Sequence, residues 1–170
     1  MIALSVNESK TDAFPDGVEK RVVDLKQGLA ESGGAFAIPP DSGMKTSLAR
    51  FISVLFESLS EPTIHISEWG IWPSSENLDL FDSYRQAKRE MRSLGETPVH
   101  RFSSSSEDAF VGILCFVLYF VWDAEVFDLE GKCLVTISHD EWISVRTNDP
   151  QIRQQCDQAA KEGLLKQLRG

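Results

Sequence analysis

Residues 107–145 read EDAFVGILCFVLYFVWDAEVFDLEGKCLVTISHDEWISV, and this stretch decides the fold. Its residues 109–122 carry no charge over 14 positions, so they are expected to lie in the middle of the core. A single strand through this segment and the residues after it would far exceed the usual length of about five or six residues. We therefore predict a buried helix at about 105–116, followed by a strand at about 117–127.

The residues after this segment predict a tight turn and two further strands. Residues 128–131 are typical of a hairpin turn with Gly131 in the left-handed conformation. Strands are expected at about 132–138 and 142–146, because strands joined by short turns pair as neighbours. The alternation of isoleucine with polar residues over 63–67 indicates a fourth strand with one buried face.

Apolar residues at helical spacing predict four helices outside this region. They are expected at about 17–31, from Asp41 or Ser42 to just before Pro62, from Ser74 or Ser75 to Gly95, and from Pro150, after a cap at Asn148 or Asp149, to about Leu168. Met91 and Leu168 belong to the apolar sides of the third and the last of these helices. Residues 35–38 indicate only a short extended piece, and residues 1–16 are hard to place.

Together these elements predict the α+β class. A chain of 170 residues buries roughly 70% of its unfolded surface, which is enough for one stable core. We expect a single domain over residues 1–170. In it an antiparallel meander of about four strands packs against four or five helices.

The charge balance restricts the partners. The chain has 17 Lys and Arg against 26 Asp and Glu, a net charge of -9. Such a surface repels phosphate backbones and anionic lipids, so neither nucleic acid nor a membrane is expected to bind. A basic protein is the expected partner, since opposite fields steer encounter. The plainer interpretation is that acidity only keeps the protein in solution.

The cysteines and the N-terminal sequence indicate a cytoplasmic protein. Three cysteines, an odd number set among apolar neighbours, suit reduced and buried thiols. The N-terminus lacks the basic and apolar regions of a signal peptide. The apolar segment is shorter than the roughly 18 residues that span a bilayer.

The predicted hairpin brings a histidine close to carboxylates. If its loop has three residues, Asp123 lies opposite Ile137, and His139 is diagonal to Asp123. A carboxylate in that position raises the pKa of the imidazole and holds its tautomer, as general-base and metal sites require. The alternative is a structural hydrogen bond at the strand ends. The residues expected on this sheet face are Asp123, Glu125, Phe127, Cys133, Val135 and His139.

Acidic residues also dominate the last third of the chain. Between residues 107 and 149 nine acids face only two bases, Lys132 and Arg146. Tryptophans stand beside these acids, as they do at interface hot spots, although tryptophan is more commonly buried in a core. The predicted partner surface consists of Trp122, Asp123, Glu125, Asp128, Glu130, His139, Asp140, Glu141 and Trp142.

Three functions remain as hypotheses. The spacing of the three histidines matches no metal-ligand motif, and the common catalytic and phosphate-binding motifs are absent, so no catalytic residue, metal or cofactor is predicted. In size and acidity the chain resembles the small acidic α+β immunity proteins of bacterial toxin systems, which implies an antitoxin-type inhibitor that covers a basic site on a toxin or effector. The alternatives are a hydrolase-like or metal-assisted enzyme using Asp123, Glu125 and His139, and a structural or regulatory subunit of a complex.

Overall fold

The structure, a computed structural model, describes residues 17–69, 75–103 and 106–168. Within these ranges the chain forms five helices and seven strands. In chain order they are α1 (Gly17–Gly28), β1 (Glu31–Ala37), α2 (Ser42–Leu55), β2 (Thr63–Glu68), α3 (Ser75–Ala87), β3 (Val99–Arg101), α4 (Glu107–Phe120), β4 (Asp123–Phe127), β5 (Cys133–Ser138), β6 (Trp142–Thr147), α5 (Pro150–Lys161) and β7 (Lys166–Gln167). The predictions for residues 1–16 and for Ser74 lie outside the described residues.

All described strands belong to one antiparallel sheet with the order β3-β2-β4-β5-β6-β1-β7. The α+β class is confirmed, but the predicted sheet of about four strands was wrong. Strands β3 and β7 were not predicted, and β1 was predicted only as a short extended piece at 35–38. Strand β1 contains Gly33 and Gly34 and shows no alternation, and β3 and β7 have only 3 and 2 residues. Their pairing depends on neighbouring strands rather than on their own side chains.

One face of the sheet is covered by helix α1, and the other face is covered by the remaining four helices. Paired residues of an antiparallel sheet point to the same face, so Phe127 and Leu134 share one face, and Val126 and Val135 share the other. Helix α1 packs on Phe127 and Leu134 through its buried valines and leucines. The other four helices contribute to the larger core on the opposite face. The α1 face therefore retains more room for polar side chains.

The apolar segment divides later than predicted. Helix α4 continues to Phe120, its last carbonyls are capped by Val121 in a left-handed conformation at φ 57°, and β4 begins at Asp123. The predicted boundary near residue 116 was wrong because no charge or glycine marks the end of the helix. Tyr119 in the last turn donates a hydrogen bond to the carbonyl of Ser42, which ties α4 to the start of α2.

The other four helices end earlier than their apolar patterns indicated. Helix α1 ends at Gly28 instead of about residue 31, and α2 ends at Leu55 instead of just before Pro62. Helix α3 stops at Ala87, and Met91 is 73% exposed. Helix α5 stops at Lys161, and Leu168 is exposed beyond it. The placements of both residues on buried helix sides were wrong. The spacing of apolar residues shows where a helix can form. It does not show how far along the helix neighbouring elements bury its apolar side.

Several local predictions are confirmed. Asp41 and Asp149 cap α2 and α5 with their side chains, and Pro150 is the first residue of α5. The hairpin strands lie at Cys133–Ser138 and Trp142–Thr147, and Gly131 has φ 76°. All three cysteines are free thiols, of which Cys133 and Cys156 are buried as predicted and Cys115 is only half-buried. No helix in the described ranges combines the length and apolarity needed to cross a membrane.

Candidate functional site

The hairpin register differs by one residue from the prediction. Ala124, rather than Asp123, pairs with Ile137. The reason is the buried side chain of Asp128, which accepts hydrogen bonds from the backbone N–H groups of Lys132 and Cys133 at 2.8 Å each. This lengthens the loop. A shift of one residue turns side chains to the other face, so Cys133 and Val135 lie on the face opposite to Asp123, Glu125 and Phe127, and their predicted placement was wrong.

Asp123 and His139 nevertheless meet, because both lie at the same end of the hairpin. The backbone N–H of His139 donates to Asp123 Oδ1 at 2.6 Å. The ring nitrogen Nδ1 of His139 lies 2.9 Å from Asp123 Oδ2. The two carboxylate oxygens of Asp123 therefore contact the same histidine. One fixes its backbone, and the other fixes the orientation of its ring.

The contact between Asp123 and His139 changes the pKa of the histidine in the direction that was predicted from the sequence. The hydrogen bond to Asp123 and the negative charge of that carboxylate raise the pKa of His139 above the ordinary value, and Asp140 and Glu68 act in the same direction. A raised folded-state pKa stabilises the protein at low pH, and this contribution is lost as the pH rises through the folded-state pKa.

Replacing Asp123 by Asn should lower the pKa of His139 towards its ordinary value. Asparagine still accepts the backbone hydrogen bond, so the loop should keep its conformation while the negative charge is lost. NMR titration of the imidazole protons measures the change. The matched variant Asp140→Asn, whose carboxylate is 3.6 Å from Nε2 of His139, should have a smaller effect. If the pKa of His139 is the same in Asp123→Asn as in the unmodified protein, the contact between Asp123 and His139 is contradicted.

Glu125 belongs to a separate group. Its Oε2 lies 3.2 Å from Nδ1 of His65, and its Oε1 accepts a hydrogen bond from Lys26 Nζ at 3.2 Å. Burial raises the pKa of Glu125, but the hydrogen bond to His65 and the charge of Lys26 outweigh burial and hold the pKa below its ordinary value. Glu125 is thus already neutralised within the chain and does not contact His139.

Glu68 joins the Asp123 and His139 pair instead. It lies opposite Asp123 in the pairing of β2 with β4, next to a register shift after Ile66. One ligand atom from each of Glu68, Asp123 and His139 lies within 4.8 Å of the other two. The sequence analysis missed Glu68, because only the pairing of two strands distant in sequence brings it here.

The turn between β5 and β6 adds two exposed carboxylates, Asp140 and Glu141. Glu141 has φ 62°, a conformation uncommon for residues other than glycine, and its carbonyl accepts a hydrogen bond from the N–H of Ile38. The acidic end, as we call it below, consists of Glu68, Asp123, Asp140 and Glu141. These four residues come from β2, β4 and the turn after β5.

Three other residues of the predicted partner surface are not exposed at the acidic end. Trp122 is only 2% exposed, and Asp128 is fully buried, so neither is available to a partner. Glu130 forms an ion pair with Lys132 in the turn at the opposite end of the hairpin. Trp142 is half-buried and pairs with Ser138, and because it follows Glu141 directly it borders the acidic end.

The acids of the last third are therefore not on one side of the molecule. Glu107 and Asp108 are at the start of α4, whose 14 residues span about 21 Å before the chain reaches Asp123. The negative electrostatic field that was predicted for one side of the molecule is therefore expected only at the acidic end.

The three histidines lie in different environments. His65 contacts Glu125, and His139 contacts Asp123. His100 is buried, and its Nε2 accepts a hydrogen bond from the guanidinium of Arg85 at 3.0 Å. Burial and the Arg85 charge lower the pKa of His100 from 6.5 to about 3. His100 is therefore a neutral core residue.

The comparisons with known proteins do not extend this description. The chain matches no protein-family model, no curated protein and no solved structure. Its function has to be inferred from the chemistry of its own surface.

Proposed function

We propose that the chain is a protein-binding module of the immunity or antitoxin type, whose acidic end covers a basic site on a toxin or effector. The observation that supports this most directly is the state of three exposed carboxylates, Glu68, Asp140 and Glu141. Within the described ranges, no lysine or arginine forms an ion pair with any of them. Other acids of the last third, such as Glu125 and Glu130, already have a lysine partner.

Clustered carboxylates that have no lysine or arginine partner repel one another, and a basic partner removes that repulsion. The benefit is long-range attraction, which raises the association rate most strongly at low ionic strength. The acidic end is also held firmly. Asp123 accepts a hydrogen bond from the backbone of His139, and the Glu141 carbonyl accepts one from the N–H of Ile38, the residue directly after β1. A preorganised charged surface loses little entropy when it binds.

A specific observation also favours a second candidate, an enzyme in which His139 is a general base. Asp123 orients Nδ1 of His139, the histidine side chain is 36% exposed, and its other ring nitrogen, Nε2, lies 3.6 Å from the exposed carboxylate of Asp140. This is the arrangement that a general base requires. If a substrate class is found, His139→Ala should abolish turnover without unfolding the chain.

The docking proposal predicts a charge-specific loss of binding. The variant Asp140→Asn/Glu141→Gln removes two negative charges from the acidic end. The control Glu57→Gln/Asp157→Asn removes two from exposed positions on other elements. We expect the first variant to bind the native partner about tenfold more weakly, mainly through a slower association rate, and the control to bind like the unmodified protein.

The measurement starts with affinity capture from the native host and continues with the purified partner by surface plasmon resonance. The partner should be basic, and it should be released as salt rises from about 50 to about 500 mM. Equal binding by both variants would contradict docking at the acidic end. If the unmodified protein and both variants keep the partner at high salt, the result would instead support the hypothesis that the chain is a structural or regulatory subunit of a complex.

A further inference from the structure

We propose that Glu68, Asp123 and His139 form a binding site for a divalent transition-metal ion, with Zn²⁺ the best match to the three ligands. This inference does not depend on the docking proposal. It concerns the three side chains that lie together where β2, β4 and the end of β5 meet, whereas the docking test changes only Asp140 and Glu141 in the turn after β5.

The positions of the donor atoms fit such an ion. Zinc binds carboxylate oxygen and imidazole nitrogen at about 2.0–2.2 Å, which places neighbouring ligand atoms about 3–4 Å apart. Asp123 Oδ2 and His139 Nδ1 are 2.9 Å apart, and the set with Glu68 lies within 4.8 Å. Glu68 is exposed at the end of β2, so its flexible side chain can supply the remaining movement.

The surrounding contacts hold two of these ligands in place. Asp123 Oδ1 accepts a hydrogen bond from the backbone N–H of His139, and Asp123 Oδ2 lies beside Nδ1 of the same histidine, so these two atoms are the proposed ligands. The distal nitrogen Nε2 of His139 faces the carboxylate of Asp140 at 3.6 Å. Metal-binding histidines commonly have a carboxylate at the nitrogen that does not bind the metal, and it fixes the ring and increases its basicity.

The donor types select the class of ion. Calcium and magnesium prefer oxygen ligands alone, whereas imidazole suits zinc and its neighbours in the periodic table. Two carboxylates balance the charge of a divalent cation, and the cation also relieves the repulsion between Glu68 and Asp123. Nδ1 of His139 has to be unprotonated to bind the ion, so the ion takes the place of the hydrogen bond between Nδ1 and Asp123 Oδ2.

The neighbouring carboxylate and histidine pair provides an internal comparison. Glu125 and His65 also meet across the sheet at 3.2 Å, but Lys26 already supplies a cation to that carboxylate at the same distance. The Glu125 pair therefore needs no further positive charge. His65→Ala is the matched control for His139→Ala, because each variant removes a histidine bonded to a carboxylate of β4.

The experiment is a titration of the full-length, chelator-treated protein with Zn²⁺ by isothermal titration calorimetry near pH 7.5. We expect one bound Zn²⁺ per chain in the unmodified protein and in His65→Ala. Affinity should fall at least tenfold in Glu68→Gln and below detection in His139→Ala. Mg²⁺ and Ca²⁺ should bind far more weakly than Zn²⁺. Circular dichroism checks that each variant is folded. If His139→Ala does not fold, the Zn²⁺ affinity of Glu68→Gln tests the proposal, because Glu68 is exposed and its replacement should leave the fold intact.

Three results would overturn the proposal: no Zn²⁺ binding by the unmodified protein, binding that Glu68→Gln and His139→Ala leave intact, or equal loss in His65→Ala. Calcium binding as strong as zinc binding would also overturn it, because a cluster of exposed acids alone gives that result. The docking variant Asp140→Asn/Glu141→Gln changes none of the three ligands, so failure of the two proposals can be told apart.

Discussion

Replacing Trp122 by alanine should lower the free energy of unfolding by about 3–5 kcal/mol. The indole is 2% exposed and fills the junction between α4 and β4. Its ring lies 5.2 Å from Phe81 in an edge-on arrangement and 5.5 Å from Phe120. Truncation removes both aromatic contacts and leaves a cavity that the rigid sheet cannot close.

Urea unfolding followed by far-UV circular dichroism measures this loss. Trp142→Ala is the control, because that tryptophan is half-buried on the α1 face and should cost only about 1–2 kcal/mol. Trp122→Phe should lie between the alanine variant and the unmodified protein. If Trp122→Ala keeps its stability but loses partner binding, the side chain is a surface anchor and the packing described above is wrong.

Acid should destabilise the protein through His100. Burial, together with the Arg85 charge, lowers the pKa of this histidine from 6.5 to about 3 in the folded state. The unfolded chain therefore binds the proton more readily, and stability present above pH 6.5 is lost as the pH falls towards 3. At about 1.4 kcal/mol per pH unit, His100 alone should remove about 2–3 kcal/mol between pH 7 and 4.5.

The measurement is urea unfolding at pH 7 and 4.5 for the unmodified protein and for His100→Gln. Glutamine does not titrate, and its oxygen can still accept the Arg85 hydrogen bond, so the variant should be less sensitive to acid by the stated amount. His65→Gln is the control, because His65 contacts a carboxylate and is not enclosed by the core. Identical acid sensitivity of the unmodified protein and His100→Gln would show that His100 is not buried as a neutral ring.

Local features of the fold were predictable because neighbouring residues produce them. Asp41 and Asp149 cap helices through hydrogen bonds that span two or three residues. Gly131 adopts the left-handed conformation that its turn requires. The hairpin strands β5 and β6 follow from their apolar pattern. The candidate site was predictable only in part, through Asp123 and His139, which one hairpin connects.

What the sequence by itself determined was therefore the α+β class, the helix caps and the hairpin, since each depends on short-range backbone geometry and periodicity. Only the tertiary structure decided that β1, β3 and β7 join the sheet, that Trp122 is buried and that Glu68 reaches His139. These outcomes depend on pairing between distant segments. The Asp128 side chain shows the limit most clearly, because one buried carboxylate changes the register of a whole hairpin.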